Sequence, residues 1–235
     1  MNRVKHPLAI IAATTLLPVA AQAADNINYN YLEASYVVQD VDMYEDDRAF
    51  DNILEDVDDG DGFKIEASFA FTNHLFVFGN YAQTQADFTF VDDTGALIPQ
   101  DQDIKTLSVG LGFFAPISER MDFVARAAYM DVDIGNFSLG ATDNDIGDDD
   151  AISNAFDDLN EDTSDGYFLD VGVRASLTQQ LELGGGVRYT DLDAGDDVSV
   201  FGNVLWKFHP NMGINLIASF GDNLSTYGLG FRYSL

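Results

Sequence analysis

The sequence contains no cysteine. Disulfides, thiol nucleophiles and cysteine-ligated metals are therefore excluded. Histidine is scarce, with three residues in 235, which leaves little material for a proton-shuttling centre. Basic residues are scarce too: Lys and Arg total 11 against 40 Asp and Glu, for a net charge of -29. Such acidity argues against nucleic acid, heparin-like polyanions and bare anionic lipid as partners. After residue 23 no run is long and apolar enough for a transmembrane helix.

The apolar run that does exist lies at the N-terminus. Arg3 and Lys5 precede an apolar core over residues 7–20, and Ala21-Gln22-Ala23 follows as a small-residue cleavage site. This is the pattern of a secretory signal peptide, and its core is too short to span a bilayer. The expectation is a cleaved leader over residues 1–23 and one domain over residues 24–235. Loss of Arg3 and Lys5 makes the remaining chain still more acidic.

What the chain has in abundance is period-two alternation. In residues 63–71, Phe63, Ile65, Ala67, Phe69 and Phe71 share one face, and Lys64, Glu66 and Ser68 share the other. Strand side chains alternate faces, so one face is apolar and the other polar. Similar segments run over residues 29–39, 75–90, 104–114, 122–132, 166–177, 181–190, 198–208, 212–220 and 225–235, which makes ten strands. The phase of residues 75–90 is ambiguous, because Phe76 and Phe78 compete with Leu75, Val77 and Tyr81; a bulge would explain it. Short turns at 72–74, 115–121, 178–180 and 209–211 alternate with longer acidic loops. Asp and Glu gather in those loops, at 40–61, 92–103, 131–165 and 191–197, so the acidity belongs to a folded frame and not to a disordered chain.

An even strand number with one short-turn rim and one long-loop rim predicts an all-β fold. The expected architecture is a single closed antiparallel transmembrane β-barrel of about ten strands with long acidic extracellular loops. Only closure satisfies every backbone group in lipid. Aromatic residues on the apolar face fall into two girdles. Tyr36, Phe63, Tyr81, Tyr129, Tyr167, Tyr189 and Tyr227 lie near the long-loop ends; Phe71, Phe113, Phe123, Phe208 and Tyr233 lie near the short turns. Two loop stretches carry helical spacing: Phe50, Ile53, Leu54 and Val57, and Ile152, Ala155, Phe156 and Leu159. These predict short helices in the loops.

The short turns, the inward Gly/Arg/Glu pattern and the terminal G-L-G-F-R-Y-S-L resemble small proteobacterial outer-membrane β-barrel proteins of the porin-like and OmpA/OmpX-like superfamily. The segments L-S-V-G-L-G (107–112) and L-E-L-G-G-G-V-R-Y-T-D (181–191) are similar to a subgroup of short porin-like members. The resemblance implies the outer membrane of a Gram-negative bacterium and contact with its lipid and lipopolysaccharide. It also implies periplasmic chaperones and the barrel assembly machinery during biogenesis, and a monomer. The last strand resembles the assembly signal read by that machinery, carried by Tyr227, Leu229, Phe231, Tyr233 and Leu235. The signal commonly ends in an aromatic residue, and this chain ends in Leu235.

Charge placement supplies the candidate site. Lys64, Arg126, Arg174, Arg188, Lys207 and Arg232 fall on the polar phase of their strands, as do Glu33, Glu66, Asp170 and Glu182. Charges on a lipid-facing surface are costly, so these residues are predicted to line the lumen. They form either an internal salt-bridge network or a charged constriction that screens solutes. Inward Gly110, Gly112, Gly172, Gly184, Gly186, Gly228 and Gly230 leave room for a narrow water path. Two aspartate clusters offer hard oxygen ligands for weakly bound Ca²⁺ or Mg²⁺: Asp56, Asp58, Asp59 and Asp61, and Asp143, Asp145 and Asp148. Neither has the EF-hand spacing. No other cofactor is expected.

Catalysis is not expected. Ten-stranded outer-membrane proteases need a His–Asp dyad at the extracellular mouth, whereas His74 and His209 fall in the short turns. The functional expectation is a porin-like barrel with at most a narrow pore for small solutes and an acidic, cation-attracting mouth. The alternative is a non-conducting surface barrel whose loops bind a partner, or divalent cations bridging to lipopolysaccharide.

Overall fold

A computed structural model describes residues 26–41, 54–57, 60–91, 97–135, 163–193, 195–222 and 224–235. The strands are β1 (Tyr31–Val41), β2 (Leu54–Val57), β3 (Gly60–Ala70), β4 (Leu75–Val91), β5 (Leu97–Ser118) and β6 (Met121–Ile134). They continue as β7 (Thr163–Ser176), β8 (Leu181–Leu192), β9 (Gly195–His209), β10 (Met212–Phe220) and β11 (Leu224–Ser234). No helix occurs among the described residues.

Ten of these strands form a closed antiparallel barrel. β1 pairs with β3 on one side and β11 on the other, β4 pairs with both β3 and β5, and the remaining strands pair in chain order. Closure leaves the ten staves with no open edge at membrane depth. The terminal strand closes the ring: Leu32 faces Tyr233, Ala34 faces Phe231 and Tyr36 faces Leu229.

The barrel is apolar outside. Leu111, Leu216, Leu229, Trp206 and Val200 are each more than half exposed, the reverse of a water-soluble barrel. Tyr36, Phe63, Tyr129, Tyr167 and Tyr227 stand exposed toward one rim, and Phe71, Phe208 and Tyr233 toward the other. Inside, a small aromatic core gathers Ile27, Tyr29, Phe76, Phe78, Phe114, Ala128 and Phe168.

Several boundaries differ from those the sequence predicts. β5 begins at Leu97, so Pro99 lies in a strand opposite Thr89 and not in a loop. Among the described residues the ladder with β6 stops at Ile104, so Pro99 has a ladder partner on its β4 side alone, where proline is tolerated as at a sheet edge. β5 also runs to Ser118, with a register shift between Pro116 and Ser118, so the turn is 119–120 and not 115–121. β8 and β9 reach Leu192 and Gly195, which are register partners, so the strands extend into the short loop predicted over 191–197. Gly195 has φ 148°, a conformation that favours glycine.

The predicted helix over Phe50–Val57 is corrected: Leu54–Val57 form β2, paired with the upper part of β4. Backbone pairing to a protruding strand satisfies more polar groups than one helical turn would. The second helical pattern, from Ile152 to Leu159, lies outside the described residues, as does the expected leader. The bulge suggested for β4 is absent, since its register with β3 and β5 is continuous. Leu75 and Val77 face out, while Phe76 and Phe78 face in and are almost fully buried.

Candidate functional site

The lumen is built by alternation. Each stave sends every second side chain inward, and cross-strand register decides which of them meet. Glu33 comes from β1, Lys64 and Glu66 from β3, Arg126 from β6, and Asp170 and Arg174 from β7. Glu182 and Arg188 come from β8, Lys207 from β9 and Arg232 from β11. All ten take part in ion pairs.

Arg126, Asp170 and Arg188 occupy one register line across β6, β7 and β8. The Asp170 carboxylate lies 2.5 Å from Arg126 and 2.7 Å from Arg188, so two guanidinium groups share one acid. Glu182 is fully buried; it pairs with Arg174 at 2.5 Å and with Lys207 at 3.1 Å. Glu33 accepts from Arg232 at 2.6 Å and from the Asn215 amide at 3.0 Å, and Asn203 in turn donates to Asn215 at 3.0 Å. Glu66 pairs with Lys64 at 2.8 Å and accepts the Tyr31 hydroxyl at 2.6 Å. It also faces Arg126 across the lumen at 3.9 Å.

Each of the four lumen arginines also lies against an aromatic ring. Arg232 sits over Tyr31 at 4.0 Å, Arg188 over Phe168 at 4.1 Å, Arg174 over Tyr29 at 4.5 Å and Arg126 over Phe78 at 5.2 Å. A guanidinium held between a carboxylate and a ring face is both neutralised and packed. Sequence reasoning did not assign the rings of Tyr29, Phe78 and Phe168 to the lumen; for Tyr29 and Phe168 the signal was their place on the polar phase beside inward charges. Asp122 is a further buried acid; it accepts the Tyr29 hydroxyl at 3.0 Å.

Of the inward glycines, Gly172 and Gly184 line the cavity in the lumen, while side chains crowd Gly112 and one side of Gly184. A Cβ at Gly112 would meet the Phe76 ring at 2.0 Å, and one at Gly184 would meet the Asn203 amide oxygen at 2.2 Å. At Gly172 and Gly186 the atoms nearest such a Cβ are instead backbone oxygens of the adjoining strand, at 2.3 Å and 2.2 Å. The cavity, of about 120 Å³, lies between Tyr31, Glu66, Arg126, Arg174, Asn203 and Arg232. It has room for a few water molecules hydrogen-bonded to these groups.

Of the two aspartate clusters, Asp58, Asp59, Asp143, Asp145 and Asp148 lie outside the described residues, and Asp56 falls in β2. Asp61 is exposed and accepts the Tyr36 hydroxyl at 3.0 Å. Among the described residues no group of three or more acidic or histidine side chains is arranged to hold a metal ion. His74 and His209 lie at the short-turn rim; His74 Nδ1 is 3.2 Å from the Phe114 carbonyl oxygen. On the terminal strand, Tyr227, Leu229, Phe231, Tyr233 and Leu235 all face outward.

The family model described as outer membrane protein beta-barrel domain matches residues 9–208. No curated protein matches the chain. Among solved structures, the KdgM porin in complex with disordered oligogalacturonate is 11% identical, with 87% of this chain and 99% of that one covered and a TM-score of 0.46. The outer membrane protein OprG from Pseudomonas aeruginosa is 9% identical, with 88% and 98% covered and a TM-score of 0.45. Ail, the attachment invasion locus protein of Yersinia pestis, is 15% identical, with 89% and 100% covered and a TM-score of 0.39.

Proposed function

Because the chain belongs to the outer membrane protein beta-barrel domain family, we propose that it is an outer-membrane barrel with a closed lumen and a working surface at its acidic outer rim. The observation that carries this reading is the lumen network. Every lumen arginine is engaged by a carboxylate and a ring, and the Arg126–Glu66 contact crosses the bore. A selective constriction needs charges free to meet a solute, whereas these are already satisfied by one another. Eight-stranded barrels are filled by their own side chains and sixteen-stranded ones hold a channel, and ten strands lie nearer the filled end.

Among the described residues, a row of acids outside the ion-pair network lies at the long-loop rim. Asp61, Asp103, Asp133, Asp165, Asp193 and Asp196 are exposed at the long-loop ends of their strands. There they favour a cationic partner, or divalent cations bridging to lipopolysaccharide phosphates. The protein is a non-enzymatic monomer in this reading, inserted by the assembly machinery through the outward face of β11.

A second reading is favoured by the 120 Å³ cavity. If water threads it, the barrel is a narrow pore whose acidic mouth concentrates cations. Planar-bilayer recording decides between them. The closed-lumen reading expects no steady ohmic conductance; steady cation-selective channels establish the second. Deleting residues 135–163 then tests the rim, with loss of surface binding and unchanged permeability as the expected result.

A further inference from the structure

The five residues ahead of β1 do not trail away from the barrel. Asn26 has φ 69°, a left-handed conformation that asparagine tolerates better than most residues. Ile27 and Tyr29 are then buried to 7% and 3% exposure. A solvated tail leaves such side chains in water, since fixing them costs conformational entropy.

Tyr29 is held on every side. Its ring stacks on Phe114 of β5 with centroids 4.1 Å apart and planes 10° from parallel. Phe76 of β4 tilts against it at 5.1 Å, and the Arg174 guanidinium of β7 lies 4.5 Å from its centroid. Its hydroxyl donates to Asp122 of β6 at 3.0 Å. The backbone is tied as well. Ser68 Oγ of β3 donates to the Tyr29 carbonyl at 2.7 Å, Arg174 donates to the Asn28 carbonyl at 3.2 Å, and Lys207 Nζ of β9 donates to the Asn26 carbonyl. At the rim, Asn30 accepts from the Ala70 amide at 2.7 Å and Asn28 donates to the Leu235 carbonyl at 3.1 Å.

These contacts reach β3, β4, β5, β6, β7 and β9 and the chain terminus, most of the way round the short-turn mouth. We infer that residues 26–30 are a plug which stoppers that mouth, with Tyr29 as its cork. The inference rests on the closed-lumen reading and names what closes the lumen at this end; the ion-pair network lies above it. Most of the ties are single hydrogen bonds and ring contacts to groups that water or solute can also satisfy. Withdrawal of the segment would open a vestibule lined by Phe76, Phe114, Asp122 and Arg174 and leading toward the central cavity.

The test uses the full chain, exported to the outer membrane of a porin-deficient Gram-negative host, purified folded and compared with Tyr29→Ala in planar bilayers. The single variant is expected to stay silent, because the ion-pair network still closes the bore, but when combined with Ile27→Cys it is expected to raise thiol labelling of the folded barrel roughly ten-fold over Ile27→Cys alone. A second variant, Ile27→Cys, introduces the chain's one thiol. Its reaction with a charged thiol reagent is expected to be at least roughly ten-fold slower in the folded barrel than in urea. Equal labelling of Ile27→Cys with and without Tyr29→Ala, both migrating as folded barrels, overturns the plug. So does fast labelling of folded Ile27→Cys, which decides the matter if Tyr29→Ala fails to fold. A parent that conducts steadily, and conducts more without Tyr29, overturns the closed-lumen reading while supporting the plug.

Discussion

Glu33 and Glu66 are direct register partners on β1 and β3, two carboxylates side by side inside the barrel. Like charges placed opposite each other destabilise a sheet. Here each acid has its own cation, Arg232 for Glu33 at 2.6 Å and Lys64 for Glu66 at 2.8 Å. Arg232→Met should therefore leave two adjacent carboxylates short of one counter-charge. A loss of about 3 kcal/mol is expected, as for other broken buried pairs. Glu33→Gln combined with Arg232→Met should recover most of that loss, because it removes the stranded charge too. Urea titration of the heat-modifiable gel band measures both, and a double variant no better than the single would contradict the account.

Asp170 offers a sharper comparison, because it serves two arginines. Asp170→Asn keeps the shape but takes the counter-charge from both Arg126 and Arg188. Arg188→Gln removes one arginine and leaves the Arg126–Asp170 pair intact. Asp170→Asn is thus expected to be the worse of the two by about 1–2 kcal/mol. The same titration ranks them, and the reverse order would show that the shared acid is not the organising group.

The strand count and the two faces were legible in the sequence because period-two alternation in residues such as Phe63 to Phe71 leaves one consistent phase. The inward cations were legible for a related reason: Arg126 or Arg174 on the other phase would sit in lipid. Phe76 and Phe78 were not legible. Residues on both phases of that segment are apolar, so hydropathy alone cannot choose between them. What settles the choice is tertiary: Gly112 on β5 leaves the hollow that the Phe76 ring fills. The pairing of acids with bases was hidden as well. Which residues meet depends on barrel stagger, so that Arg174, a register partner of Asp122, forms its ion pair with Glu182. The segment ahead of β1 continues that strand's alternation, with Ile27 and Tyr29 on one phase and Asn28 and Asn30 on the other, but its role emerges only once Phe114, Asp122 and Arg174 are brought together around Tyr29.

The apolar exterior should respond to charge by depth. Leu111 is 59% exposed and Ile117 54%, so accessibility alone does not distinguish them. Leu111 sits mid-strand, however, whereas Ile117 is next to the end of β5 at the short-turn rim. Leu111→Arg is expected to cost about 2–4 kcal/mol in a bilayer and Ile117→Arg no more than about 1 kcal/mol. Folding equilibria in phospholipid vesicles give both values. Equal costs would mean that the apolar band is not centred where the strand register places it.

Tyr31 and Tyr36 lie five residues apart on β1, on opposite faces, and each donates a hydrogen bond to a carboxylate on β3. The chemistry is the same and the surroundings are not. Tyr31 reaches buried Glu66 at 2.6 Å beneath the Arg232 guanidinium, while Tyr36 reaches Asp61 at 3.0 Å on the exposed outer girdle. Inside the barrel a lost hydroxyl leaves a buried acceptor short of a donor, and such bonds to charged groups are the strong ones. At the rim, water replaces the donor at once. Tyr31→Phe should therefore lower stability by about 2 kcal/mol. Tyr36→Phe should leave the urea midpoint unchanged, since Asp61 is already solvated. If the two variants lose stability equally, the lumen around Glu66 is as wet as the rim, and the closed network described above would have to be an open one.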